Sequence, residues 1–256
     1  MENALLIGLS RQMSLHREIE VVANNIANLN TTGFKADNAV FEEYLMPGAS
    51  AGQFAAPDRR MSYVQDRQTW HDLSQGSVEA TGNPLDIAID GQGFLVVQTP
   101  RGERYTRNGA LQLNAQGQLV TSEGYAVLGE SGPITLQATD KDIMISREGT
   151  ITVREGASAT SDANRGKIRV VTFAANQPLR KDGGSTFAAM GNAAPQPATA
   201  STRIMQGSIE KSNVRSVVEM TRMIEVTRNY TQVASILQSQ HDMRTSAIDK
   251  LAEVPA

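Results

Sequence analysis

The chain has 256 residues, 40% of them apolar, enough to bury a core and to exclude wholesale disorder. A net charge of -3, with no block of like charges, offers no field for nucleic acid, and no nucleic-acid partner is expected. The absence of cysteine excludes disulfides, thiolate metal sites and cysteine nucleophiles.

The opening stretch, MENALLIGLSRQ, puts Glu2 where a secretory signal carries positive charge, and its apolar run Ala4 to Leu9 is shorter than an h-region. No cleaved signal is expected. Apolar runs fall short of the ~20 residues that span a bilayer, so no membrane insertion is expected either.

Proline is absent from Met1 to Met46 and from Ala198 to Val254, and the last glycine is Gly207. The ends therefore read as helix and the middle as strands and turns. In the first segment Leu5, Leu9, Gln12, His16, Ile19, Ala23 and Ile26 recur at helical spacing and predict one apolar face. Residues 36–75 carry scattered aromatics and a Pro/Gly/Ala-rich patch at 47–57 with no sustained period, which predicts an extended connector.

Residues 76–206 have a different texture. PLDIAIDGQGFLVVQ (84–98) alternates Leu85, Ile87 and Ile89 against Asp86, Ala88 and Asp90, turns at Gly91-Gln92-Gly93 and resumes at Phe94, a hairpin signature. Leu111 to Leu113 and Leu119 to Thr121 flank the turn Asn114 to Gly117, and Tyr125 to Leu128 follows a turn at Ser122 to Gly124. Ile143 to Ser146 and Thr150 to Val153 flank Arg147-Glu148-Gly149, and residues 167–174 supply another strand. The stretch AAPQPATAST (193–202) reads as a linker.

Near the end, Met220, Thr227, Ala234, His241 and Ile248 form a seven-residue column. Val217, Ile224 and Thr231 flank it on one side, Met223, Tyr230, Leu237 and Leu251 on the other. That is a broad stripe of coiled-coil period. A helix over about 212–250 would be on the order of 55 to 60 Å long at 1.5 Å per residue. It outruns the N-terminal helix, so apolar surface remains for other subunits.

The fold class predicted is mainly β with terminal α-helices. The N- and C-terminal helices (1–35 and 207–256) pair as a coiled coil, an extended connector covers 36–75, and a central antiparallel β domain covers 76–206.

Candidate chemistry is sparse. Gly91-Gln92-Gly93 lacks the third glycine and the helix that cradle a phosphate. Asp86 and Asp90 would lie about 13 Å apart on one strand face, wider than the carboxylates of a glycosidase. His16, His71 and His241 have no second ligand at metal spacing, and Asp162-Ala163-Asn164 lacks the rest of a calcium loop. No catalytic, cofactor or metal site is expected.

Two segments carry a resemblance. ANNIANLNTTGFK (23–35) closely resembles the N-terminal signature of the bacterial flagellar rod and hook proteins, and SNVRSVVEMTRMIEVTRNY (212–230) resembles their C-terminal helical signature. TGNPLDIAIDGQGFLVV (81–97) and YTRNGALQLNAQGQLVTSEGYAVLG (105–129) look like their central β region. The resemblance implies a subunit of a helically stacked, hollow axial shaft that carries motor torque. It implies self and neighbouring rod proteins as partners, the flagellar type III export apparatus as the route out, and the periplasmic rod of the basal body as the location. The start MENALL and the segments 69–86 and 99–111 look closest to the proximal of two rod classes that have one outer β domain. The distal class is the alternative; a wall-acting glycosidase and a non-polymerising helical adaptor are the readings from other classes.

On this resemblance the assembly residues are, at the N-terminus, Leu5, Leu9, Ile19 and Ile26, then Asn24, Asn25, Asn28, Asn30, Thr31, Gly33, Phe34 and Lys35. At the C-terminus they are Asn213, Val217, Met220, Met223, Ile224, Tyr230 and Leu237. The amides of Asn24, Asn25 and Asn28 lie away from the apolar stripe and are expected to bond backbone groups of neighbouring subunits. Asn30, Thr31, Thr32 and Gly33 end the helix, Phe34 anchors the turn, and Lys35 pairs across a subunit boundary. An ordinary polar cap inside one subunit fits the same residues.

Overall fold

The computed structural model describes residues 2–46, 61–155, 162–174, 177, 179–191, 194–199 and 201–252. They fall into two units: the described parts of 1–27, 37–72 and 215–256 form one, and residues 28–36 with the described parts of 73–214 form the other.

The first unit contains helix α1, Glu2–Ala27, and helix α2, Ser216–Ala252. In α2, Glu219 in the first turn and Lys250 in the last complement the helix dipole. The two helices pack antiparallel. A Cβ at Gly8 would lie 2.6 Å from Leu237 Cδ2, the His16 and Tyr230 rings are 6.4 Å apart, Arg222 donates to Glu18 at 3.0 Å, and Asn25 donates to Glu219 at 3.3 Å.

The buried face of α1 is not the predicted stripe. Ser14, Leu15, Val21, Val22 and Asn25 are buried, whereas Leu9 is 50% exposed and Ile19 and Ile26 are half-buried. The side chain of Leu5 lies outside the described residues. The shift has a physical cause: α1 packs against a β-hairpin as well as against α2, so the surface it buries is centred between those neighbours.

That hairpin occupies the segment expected as an extended connector. Strands β1, Asp37–Met46, and β2, Met61–His71, pair antiparallel from Asp37 opposite His71 to Met46 opposite Met61, with a register shift between Val40 and Phe41. Long-range pairing rather than side-chain alternation sets this ladder, which is why no period announced it. The patch at 47–57 lies outside the described residues.

The second unit is built of antiparallel strands, the largest group of which, among the described residues, forms a ten-stranded sheet. Its organiser is the strand Phe94–Thr99, which pairs with Gly102–Thr106, Ala126–Gly129 and Val170–Thr172. Successive side chains on a strand point to opposite faces. Leu95 and Val97 enter one cluster with Leu119, Val127, Ile151 and Ile168, while Phe94 and Val96 enter another with Tyr105, Val171 and Phe187. Both faces of this strand are buried, so it reads as an unbroken apolar run.

Three predicted hairpins are present: Leu111–Leu113 pairs with Leu119–Thr121, Val120 pairs in turn with Ala126 across the Ser122 to Gly124 turn, and Met144 and Ile145 pair with Thr152 and Ile151. The predicted 84–98 hairpin is not formed. Ile87–Asp90 pairs with Arg203–Gln206, and the Gly91-Gln92-Gly93 turn carries the chain away to a different sheet. Ile87, Ala88 and Ile89 are all buried, so the expected alternation of core and solvent faces does not hold there. Part of the expected linker, Gln196–Pro197, adds a short strand against Val171 and Thr172. No helix among the described residues is long and apolar enough to cross a membrane.

Candidate functional site

The signature segment 28–36 leaves α1 and packs wholly within the β unit. Two tight turns start it, with Thr31 N donating to Asn28 O at 3.2 Å and Phe34 N to Thr31 O at 3.3 Å. Gly33 has φ +68°, and a Cβ there would lie 2.3 Å from the Arg107 carbonyl carbon and 2.4 Å from Asn108 N. Left-handed backbone and this close approach both demand glycine. Gly33 N then donates to Glu210 O at 2.8 Å.

Phe34 is buried, and Lys181 Nζ stands 3.6 Å from its ring centroid, a cation–π contact. Asn213 ties the same stretch from the other end of the chain. Its Oδ1 accepts from Ala36 N at 2.8 Å, its backbone N donates to Phe34 O at 3.4 Å, and its Nδ2 reaches Ser74 O and Oγ at 3.2 Å each.

At the centre is a three-residue ionic cluster. Lys35 and Glu210 are both fully buried, and Lys35 Nζ lies 2.5 Å from Glu210 Oε1 and 2.5 Å from Ser74 O. The other carboxylate oxygen, Oε2, accepts from Arg107 Nη1 at 3.0 Å, and Oε1 also accepts from Gly76 N at 2.9 Å. Arg107, itself buried, donates through Nη2 to Gly91 O at 2.6 Å and lies over the Phe94 ring at 5.5 Å. Two cations thus face one carboxylate, and the carbonyls of Ser74, Ile89 and Gly91 accept further bonds, while Arg107 Nε is buried without an acceptor among the described residues. Such a cluster stabilises mainly by being complete. Removing one member of a buried ionic pair costs about 3–5 kcal/mol because it strands the others.

The cluster locks together the points where the chain enters the β unit, at 28–36, and leaves it, at 208–214. Its groups are coordinated and buried, so it presents no nucleophile or base to a substrate. It is a clasp.

Lys35 thus has its counter-ion within the chain, where its sequence context suggested one across a subunit boundary. Burial without a counter-ion would be prohibitive for an ammonium, and Glu210 supplies one within the chain.

Asn25 is likewise internal. Within the helical unit its amide accepts from Asp37 N at 2.9 Å and donates to Asp37 O at 2.8 Å, filling both backbone groups at the start of β1. Asp37 also bonds His71 Nδ1 at 2.7 Å. The amide at Asn25 acts as a surrogate strand partner, which an apolar residue could not do. Asn24 and Asn30 are exposed, and Asn28 and Thr31 are half-buried, with Thr31 Oγ1 bonded to Asn28 Oδ1 at 3.1 Å.

The predicted C-terminal residues separate by face. Tyr230 and Leu237 are half-buried beside α1, and Met223 is half-buried. Val217, Met220 and Ile224 are 75%, 50% and 61% exposed. The site residues that the sequence did not assign to assembly are Ser74, Arg107 and Glu210 in the β unit, and Asp37, His71 and Glu219 in the helical unit. Each sits among other polar residues in its own segment, and only the fold brings it to its partner.

Among the described residues no group of three or more His, Cys, Asp or Glu side chains could hold a metal ion. A β unit with clasped ends and two long helices carrying exposed apolar side chains defines a structural subunit.

The comparisons agree. Residues 5–35 match the family of flagella basal body rod proteins, residues 88–153 the D1 domain of the flagellar hook protein FlgE/F/G family, and residues 205–250 the C-terminal region of the flagellar basal body rod FlgEFG proteins. The chain belongs to the flagellar basal-body rod protein family, whose members are structural rather than enzymatic. It is 37% identical to the flagellar basal-body rod protein FlgF of Caulobacter vibrioides, over 99% of this chain and 100% of the relative. It is 32% identical to FlgF of Mesorhizobium japonicum, over 98% of each, and 30% identical to the rod protein FlgG of Bacillus subtilis, over 95% of this chain and 97% of that one. Lys35, Arg107 and Glu210 fall one in each of the three matched segments.

Proposed function

We propose that the chain is an FlgF-like subunit of the proximal rod, stacking helically with copies of itself and with neighbouring rod proteins into a hollow shaft that transmits motor torque. The observation that carries this reading, within a rod-protein family, is the apolar surface of both helices. Leu6, Leu9 and Met13 on α1 and Val217, Met220, Ile224 and Ile248 on α2 are each at least half exposed. Among the described residues nothing covers them, whereas inter-subunit pairing as an inner coiled-coil layer would.

Helical stacking uses contacts that do not close, so different patches must meet above and below each subunit. The flagellar type III apparatus exports the chain to the periplasmic rod. Helices that complete their packing only on joining the shaft keep it exportable. It takes no nucleic acid and inserts in no membrane. An FlgG-like distal position is the second reading, favoured by the nearly full-length FlgG relative.

The test is a triple variant, Val217→Ser, Met220→Ser and Ile224→Ser, expressed in place of the natural chain. Loss of rods from isolated basal bodies, with the β unit still folded by circular dichroism, is the expected result. Normal rods would overturn the proposal.

A further inference from the structure

The β unit also carries a concave site of about 960 Å³ that neither the clasp nor the helices use. Its floor is aliphatic, from the buried side chains of Ile168, Val171 and Ile204, and Pro195 and Pro197 line it as well. The charged groups around it are Arg147, Lys167, Arg169 and Arg203 against Glu130 and Glu148, a positive excess in a chain whose net charge is -3.

Local pairing does not cancel that excess. Lys167 pairs with Glu130 at 3.1 Å and Arg169 with Glu103, while Arg147 and Arg203 have no acidic partner among the described residues. Arg169 Nε is buried with no acceptor. The backbone brings the two unpaired guanidinium residues close: Ile204 N donates to Arg147 O at 2.9 Å, so Arg147 lies beside Arg203 on an adjoining segment. Arg147 and Arg203 are exposed at the rim of an apolar floor, with Glu148 also in the lining, and their guanidinium donors are open to a ligand. Guanidinium forks are matched to carboxylates in bidentate geometry.

We infer that this cavity binds an acidic peptide segment, an aliphatic side chain filling the floor between carboxylates held by Arg147 and Arg203. An anionic glycan fits less well, because none of the lining residues is aromatic and no ring is offered for a sugar face to stack on. The inference does not depend on rod assembly.

The probe is a fluorescein-labelled octapeptide of alternating glutamate and valine, titrated by anisotropy into the full chain at low salt. Its glutamine counterpart and a polygalacturonate oligomer serve as competitors. Saturable binding of the acidic peptide is expected. The glutamine peptide and the double variant Arg147→Gln, Arg203→Gln should each bind about tenfold more weakly or worse, the scale of losing charge-assisted bonds. Arg154→Gln, away from the cavity, should change nothing, and circular dichroism checks that every variant is folded. Equal binding by the glutamine peptide, unchanged binding by the double variant, preference for the glycan, or no saturable binding would each overturn the assignment.

Discussion

The two units solve the problem of burial in opposite ways. In the β unit the central strand Phe94–Thr99 buries both faces, and Leu95, Val96 and Val97 are 0% exposed. In the helical unit Val226 is the sole hydrophobic side chain of α2 that is buried among the described residues, while Val217 is 75% exposed. One unit buries its core within a single chain, and the other leaves apolar side chains of both helices exposed. The clasp sits on the self-sufficient side of that divide, and the signature residues it uses are spent inside the chain.

The sharpest way to break the contrast is at the clasp. Glu210→Ala strands Lys35 and Arg107 as buried cations, and the β unit should lose about 3–5 kcal/mol in chemical denaturation. Gly33→Ala should act in the same direction, since its Cβ would overlap the Arg107 backbone. Next comes the core. Leu95→Ala should cost about 2–5 kcal/mol by opening a cavity, whereas Leu9→Ala, at a side chain that is 50% exposed, should stay within about 0.5–1 kcal/mol. Equal losses at the two positions would erase the distinction between the units.

A smaller effect is expected at Asn25, where alanine removes the two amide bonds to Asp37 N and O and should cost about 1–3 kcal/mol. Faster amide exchange at residues 37–40 would report it.

The pH response sharpens the comparison further. Arg165 hydrogen-bonds Asp140 through both guanidinium branches, at 2.6 and 2.9 Å, and holds its carboxyl below the ordinary value. A folded-state pKa below the unfolded one contributes stability at pH above the unfolded value, and that contribution disappears as pH falls through the folded value. Arg104 depresses Asp182 in the same direction. Arg165→Gln should therefore move acid unfolding of the β unit to higher pH, followed by circular dichroism. The smallest effect on stability is predicted for Val217→Ser, Met220→Ser and Ile224→Ser, within about 0.5 kcal/mol each, although assembly should be lost.

How legible this was depended on distance along the chain. The helical ends, and the hairpins around Asn114 to Gly117 and Arg147 to Gly149, were legible because their signals are local: proline exclusion, alternation and turn residues. The strand Ile87–Asp90 looked like half of a hairpin because its alternation continued across Gly91-Gln92-Gly93. Its true partner, Arg203–Gln206, lies more than a hundred residues later, beyond any local pattern. The hairpin of β1 and β2 was missed for a related reason, having no period to betray it. Apolar spacing located the helices but not which side each would bury, because the inward face of α1 includes Asn25 and that of α2 includes Glu219. The polar signature was conspicuous from Asn24 to Lys35, yet nothing in the sequence joined Lys35 to Glu210 or Arg107.

The β unit and its clasp bury their residues within one chain, while the helices leave an apolar surface that assembly is expected to cover. Hydrogen exchange on the purified chain tests this contrast most directly, comparing amides of 94–106 and 119–128 with those of α1 and α2. Slow exchange is expected in the β unit and fast exchange in the helices, with helical protection gained on assembly. Equal protection of all four segments in the free monomer would contradict it.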